Sequence, residues 1–166
     1  MILWFAGMSV AAVWVVFRDP AIDLRLVIAG ALLPDVVDGF LALAGVVGPW
    51  PAHTLLANAG FLMVVMVATR GRRQLRRRLL ALPIGGLLHL ALDGAWADTV
   101  GFWWPAFGTD VPAEALPSIE RGATNVVLEL AGLIALVWAW SRFRLGEPAR
   151  RAAFLRTGRV GRDLVG

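Results

Sequence analysis

At 166 residues the chain has the length for one compact helical unit and leaves no room for a second sizeable domain. Its hydrophobic content of 58% and mean hydropathy of +0.70 exceed what a soluble domain of this size sustains, so an integral membrane protein is expected. The absence of cysteine excludes disulfides, thiolate metal sites and a cysteine nucleophile, and the net charge of +4 rests on sixteen basic residues, all arginine, against twelve acidic ones. Those arginines cluster beside apolar spans, which points to membrane topology and argues against nucleic acid as a partner.

Met1 to Phe17 is an apolar run with Trp4 and Trp14 near its ends and no basic residue before Arg18. It reads as a first transmembrane helix that stays attached, because a secretory signal would open on positive charge. Asp19-Pro20 supplies an N-cap followed by proline at the first helical position, and the second helix is expected to carry Ile22 to about Val47. In its middle Asp35 and Asp38, three apart, share a face just after Pro34, which should kink the helix or loosen its backbone. Gly48-Pro49-Trp50-Pro51 reads as a turn, and a third helix from about Ala52 to Thr69 holds His53 in its first turn, near the membrane surface.

The charge run Arg70 to Arg78 reads as a cytoplasmic loop. A fourth helix then runs outward from Leu79 to about Ala97 and carries His89 and Asp93. Asp98 to Gly122 reads as an external segment in which Asp98, Asp110, Glu114 and Glu120 face Arg121 alone. Its Phe102, Trp103 and Trp104 suit the headgroup layer, as an interface anchor or as a roof over a site. A fifth helix from about Ala123 to Trp140 puts Asn125 and Glu129 on one face, and an arginine-rich tail follows from Ser141, lying along anionic lipid. The expected fold is all-α: a polytopic membrane bundle of about five transmembrane helices over residues 1–145, followed by a basic cytoplasmic tail over residues 146–166. Its amino terminus lies outside the cytoplasmic membrane and its carboxyl terminus inside.

The chemistry centres on His89 and Asp93. Four apart on a helix, they stand one turn apart on one face, where an imidazole nitrogen and a carboxylate oxygen can grip one cation. Counting helical rise from the outer ends brings Asp93, His89, Glu129 and His53 into the outer half of the bundle, and a break near Pro34 or Gly39 would raise Asp35 and Asp38 to join them. Uncompensated carboxylates at membrane depth cost several kcal/mol each, roughly, and a divalent cation offsets that cost directly. The expected ligands are therefore His53, His89 and Asp93, with Asp35 and Asp38 completing the shell or acting as general base, and Glu129 in reserve as ligand or proton acceptor. Such a donor set suits zinc, with manganese or magnesium as the oxygen-preferring choices. Two other readings stand beside this one: the polar groups hydrogen-bond one another and specify helix packing, or they relay protons or cations in a small transporter. No glycine-rich phosphate loop or serine nucleophile motif points to other enzyme classes.

The motifs GALLPDVVD, AHTLL, GGLLHLALD and FWWPAFG, in this order, resemble those of the bacterial and archaeal inner-membrane-bound metal-dependent hydrolases of the DUF457 group, described as LexA-regulated and distantly similar to zinc-dependent phospholipase C and P1-type nucleases. The resemblance spans about Ala29 to Gly108. It implies a helical, membrane-embedded hydrolase acting on a phosphoester, including a lipid-linked one. By motif, Asp35 and Asp38 match the family's acidic pair, His53 its HS/HT histidine, and His89 with Asp93 its HxxxD pair.

Overall fold

The computed structural model describes residues 1–46, 50–97, 100–109 and 122–164. Of the segments read from sequence, part of the Gly48-Pro49 turn and the acidic residues Asp98, Asp110, Glu114 and Glu120, together with Arg121, lie outside the described residues. The described residues are helical, with no strand among them. In chain order the helices are α1 (Ile2–Phe17), α2 (Leu24–Leu43), α3 (Leu55–Ala68), α4 (Arg73–Leu79), α5 (Ala81–Asp93), α6 (Thr124–Arg142) and α7 (Pro148–Thr157), with short 3-10 turns at Pro51–His53, Ala95–Ala97 and Arg162–Leu164. Two of them, α2 and α6, are long and apolar enough to cross a membrane, while α1 and α3 are shorter apolar helices.

Several boundaries differ from the sequence expectation for identifiable reasons. Asp19-Pro20 does not start α2; the Asp19 carboxylate accepts from the Ala21 amide within a turn, and the helix begins four residues later behind Asp23. Neither Pro34 nor Gly39 breaks α2, which runs unbroken to Leu43. The arginine run folds as α4, since arginine is a good helix former and only Gly71, at φ 79, interrupts the backbone after α3. His53 belongs to the Pro51–His53 turn ahead of α3, whose true N-cap is Thr54, accepting from the Ala57 amide at 3.1 Å.

Two parallel helix pairs build the bundle, and glycine sets how closely each approaches. A side chain at Gly30 would put its Cβ 2.0 Å from the Leu82 carbonyl oxygen, and one at Gly85 would sit 2.2 Å from that of Val27. On the other side Gly7 and Gly132 do the same for α1 and α6, where a Cβ at Gly7 would lie 2.1 Å from the Gly132 carbonyl oxygen. Such small-residue seams let backbones meet where lipid removes the hydrophobic drive for helices to associate. Packed around them, Val10, Val13, Trp14, Leu24, Val27 and Phe143 form the main apolar core.

The basic residues gather at one end. Arg77 bonds Asp19 at 2.7 Å, and Arg78 and Arg25 each reach Asp23 at 3.2 Å. The chain after α6 folds back onto this end: Leu164 joins the core, the Gly158 carbonyl accepts from the Leu24 amide at 2.8 Å, and Arg142 donates to the Leu164 carbonyl. Burial alone would raise the Asp23 carboxyl, but hydrogen bonds from Arg25 and Arg78 hold it below the ordinary carboxylate range. A lowered folded-state pKa means the stabilisation is present above the ordinary value and is lost as pH falls through the lowered one. Hydrogen exchange at the Leu24 amide should therefore stay protected at pH 4 and open at lower pH.

The seam yields a second expectation. Gly30→Leu should force α2 and α5 apart and lower the thermal midpoint by the equivalent of about 1–3 kcal/mol or more, whereas Gly39→Leu, where a Cβ meets nothing within 4 Å among the described residues, should not. Thermal denaturation in detergent or nanodiscs measures both.

Candidate metal centre

Away from the arginine end, three elements converge: the second half of α2, the Pro51–His53 turn and the last turns of α5. The α2–α5 seam carries His89 to α2, where Nδ1 lies 2.7 Å from the Ala31 carbonyl oxygen. A carbonyl only accepts, so Nδ1 carries a proton and Nε2 is turned into the site. Phe5 of α1 stacks on the imidazole with ring centroids 3.8 Å apart and fixes its plane.

His53 is oriented in the same way by a different partner. Its Nδ1 lies 2.6 Å from Asp38 Oδ2, while Asp38 Oδ1 accepts from the Ala52 amide at 3.1 Å. Asp38, fully buried, thus holds both the ring and the turn that bears it. The turn is clamped further by Thr54, which donates to the Pro51 carbonyl at 2.8 Å, and by Asn58, whose amide donates to the carbonyls of Ala52 and Thr54 at 2.7 and 3.1 Å. Gly86 leaves the room Asn58 needs, since a Cβ there would come within 2.6 Å of Asn58 Oδ1.

With both Nδ1 atoms donating, the two Nε2 atoms face each other at 3.1 Å. Asp35 Oδ1 stands 3.5 Å from His53 Nε2 and 3.7 Å from His89 Nε2, buried and with no hydrogen-bond partner. Such a cluster is held together by a proton on one ring nitrogen or by a metal cation between the three atoms. The point equidistant from the three atoms is about 2.0 Å from each, by the geometry of that triangle, which is the length of a zinc–nitrogen or zinc–oxygen bond, about 2.0–2.2 Å. Asp35, His53 and His89 could hold a metal ion.

The other carboxylates named from sequence take different places. Asp38 stands behind His53, with both oxygens engaged by the ring and the backbone. Asp93 is buried one turn from His89 but is not one of the three converging groups. Glu129, a candidate ligand or proton acceptor, accepts from the Leu3 amide at 2.8 Å and so satisfies a first-turn donor of α1. His53 is 7% exposed, and it is the turn rather than a break in α2 that brings it to Asp35. Sequence reasoning missed Asn58, Phe5 and the Ala31 carbonyl. An asparagine four residues after the Thr54 cap was a legible sign of side-chain bonding to the backbone; the other two carry no signal.

Comparison with known proteins narrows the expectation drawn from the motifs. No curated protein and no solved structure matches the chain. A family model described as YdjM inner membrane protein matches residues 3–155, and that description covers the membrane while naming neither hydrolysis nor a metal. Together with the two apolar helices of spanning length it puts the protein in the inner membrane. The chain belongs to the YdjM inner membrane protein family.

Proposed function

We propose that the protein is a membrane-bound metal-dependent hydrolase of phosphoester substrates, with a divalent ion, zinc first, held by Asp35, His53 and His89. The observation that carries the reading is the meeting of three donor atoms around one point at bonding distance, two of them on imidazoles whose far nitrogens are already committed to Asp38 and Ala31. A carboxylate or carbonyl behind each metal-binding histidine is the usual way such ligands are aimed. Three protein ligands leave a coordination position for water or substrate, as catalytic zinc sites do and closed structural sites do not. A bound divalent ion would supply Lewis-acid polarisation of a phosphoryl oxygen and acidify water without a protein nucleophile.

The chain's own residues do the remaining work in this reading. Asp38 keeps His53 in the Nδ1-protonated tautomer and supports the positive charge the ring shares with the ion. Asp93, one turn along α5 from His89, is the reserve ligand or proton acceptor. Helices α1, α2, α3, α5 and α6 form the five-span bundle, with the arginine-rich end in the cytoplasm and the metal site towards the outer face, in keeping with the positive-inside rule. At 1.5 Å per residue the 13-residue α5 is only about 20 Å long, so that crossing draws on the apolar residues flanking it, Leu79, Leu80 and the Ala95–Ala97 turn, with the arginines of α4 left in the cytoplasm.

Protein purified in mild detergent without chelators should carry about one metal per chain, and His53→Ala and His89→Ala should each lose it. Absence of metal from the wild type sinks the reading. Because imidazole binds metal only when unprotonated, occupancy should fall on acidification, with protons released on loading at neutral pH. Asp38→Asn should keep the fold and weaken metal affinity by about 10–100-fold, while Glu129→Gln leaves it unchanged; titration with a metal-indicator dye reads both. Turnover of generic phosphodiester and phosphomonoester substrates, lost in His89→Ala, tests the hydrolase step, and full metal with no turnover on any of them favours an ion-binding role without hydrolysis.

A further inference from the structure

The three converging groups are not equally hidden. His89 is fully buried and His53 nearly so, but the Asp35 side chain keeps 24% of its surface exposed. Among the described residues the end of the bundle covers the site: His53, Thr54 and Asn58 are buried, and the Leu55 amide donates to the Phe102 carbonyl at 2.9 Å, tying the aromatic segment to the start of α3. The open edge of the site is therefore the edge of Asp35.

Where that edge points follows from α2 itself. Asp35 lies eleven residues after Leu24 and eight before Leu43, about 17 Å and 12 Å from the two ends of a helix long enough to span the membrane. Its buried neighbours Ala31, Pro34 and Asp38 lie to one side on the helical wheel, and the exposed residues Leu33, Val36, Val37, Phe40 and Leu43 lie to the other. Asp35 sits on the border between the two. On the exposed flank its one-turn neighbours are Leu32 and Gly39, both half-buried. Leu32 puts an apolar side chain one turn before Asp35 on that flank, whereas Gly39, one turn after it, has none: a side chain added there would meet no atom within 4 Å among the described residues. The aspartate thus stands beside a notch, floored by Gly39, in an otherwise apolar, lipid-length surface at mid-span.

Resting on the metal-site reading, we propose that the site opens sideways into the bilayer through the Gly39 notch, and that its substrate is a membrane-dissolved amphiphile. Its polar head brings an oxygen donor past Asp35 while its apolar tail stays against the α2 surface around Val36 and Phe40. Among the described residues this edge offers a water-borne substrate no matching route, since Leu32, Val36 and Phe40 around the notch are apolar and lie at hydrocarbon depth, where a charged solute is excluded.

The test uses the metal-loaded protein in lipid nanodiscs and two chelators with one donor set, bathophenanthroline and its disulfonate. Metal content is measured first. The uncharged chelator should then strip the ion at least about tenfold faster than the sulfonated one, which does not enter the bilayer. Gly39→Phe should fill the notch and slow the uncharged chelator severalfold with metal content unchanged; Gly39→Leu, a smaller filling of the same space, does so if the first variant fails to fold. Gly60→Phe, at an equally open position on α3, should have no effect. Equal rates for the two chelators, or unchanged stripping in both notch variants, overturn the lateral route while leaving the metal site standing. A wild type without metal overturns both.

Discussion

The close approach of α2 and α5 is the constraint on which the rest of the molecule depends. Gly30 and Gly85 let the two backbones meet at a distance that any Cβ would prohibit. Only at that distance does His89 reach the Ala31 carbonyl, a bond that sets the ring's tautomer and aims Nε2. Spread the seam by the width of a methyl group and the imidazole loses its anchor. The glycines therefore act on chemistry as much as on packing, although none of them touches the site's three converging atoms.

The second requirement is a rigid connection between α2 and α3. His53 comes from a turn of three residues, which alone would hold a ligand poorly. Thr54, Asn58 and Asp38 tie that turn from the α3 cap, from α3 itself and from α2. The same carboxylate that pairs with the ring also accepts from the backbone of the turn, so moving Asp38 would displace the histidine and its support together. Polar contacts of this kind are strong inside a bundle because the alternative is an unsatisfied group away from water.

Much of this arrangement was legible in the sequence. Helix order and the approximate limits of α1, α2, α3 and α6 follow from apolar run lengths and arginine placement, and the pairing of His89 with a carboxylate-bearing helix follows from burial cost. What escaped was the division of labour among carboxylates. Asp35 and Asp38 share a face by spacing, yet one turns to the converging histidines and the other stands behind His53, because neighbouring elements offer each a different partner. Asp93, at ideal i,i+4 spacing from His89, is outside the three for the same reason: spacing makes two side chains neighbours but does not say what a third element brings between them. Residues 51–53 form a 3-10 turn where the apolar pattern suggests the start of α3, because the helix begins only behind the Thr54 cap, three residues later than that pattern implies.

The three donors at residues 35, 53 and 89 are separated by most of the chain between α2 and the end of α5. A chain threaded into the membrane in order from its amino terminus presents Asp35 and Asp38 long before His89 exists to meet them. Until α5 arrives and its glycines dock on α2, two carboxylates sit on an apolar helix with a single histidine for company. The nascent protein thus passes through a stage in which the carboxylates of α2 lack their final partner, and closing the α2–α5 seam brings the three groups together and takes those carboxylates out of their least comfortable surroundings.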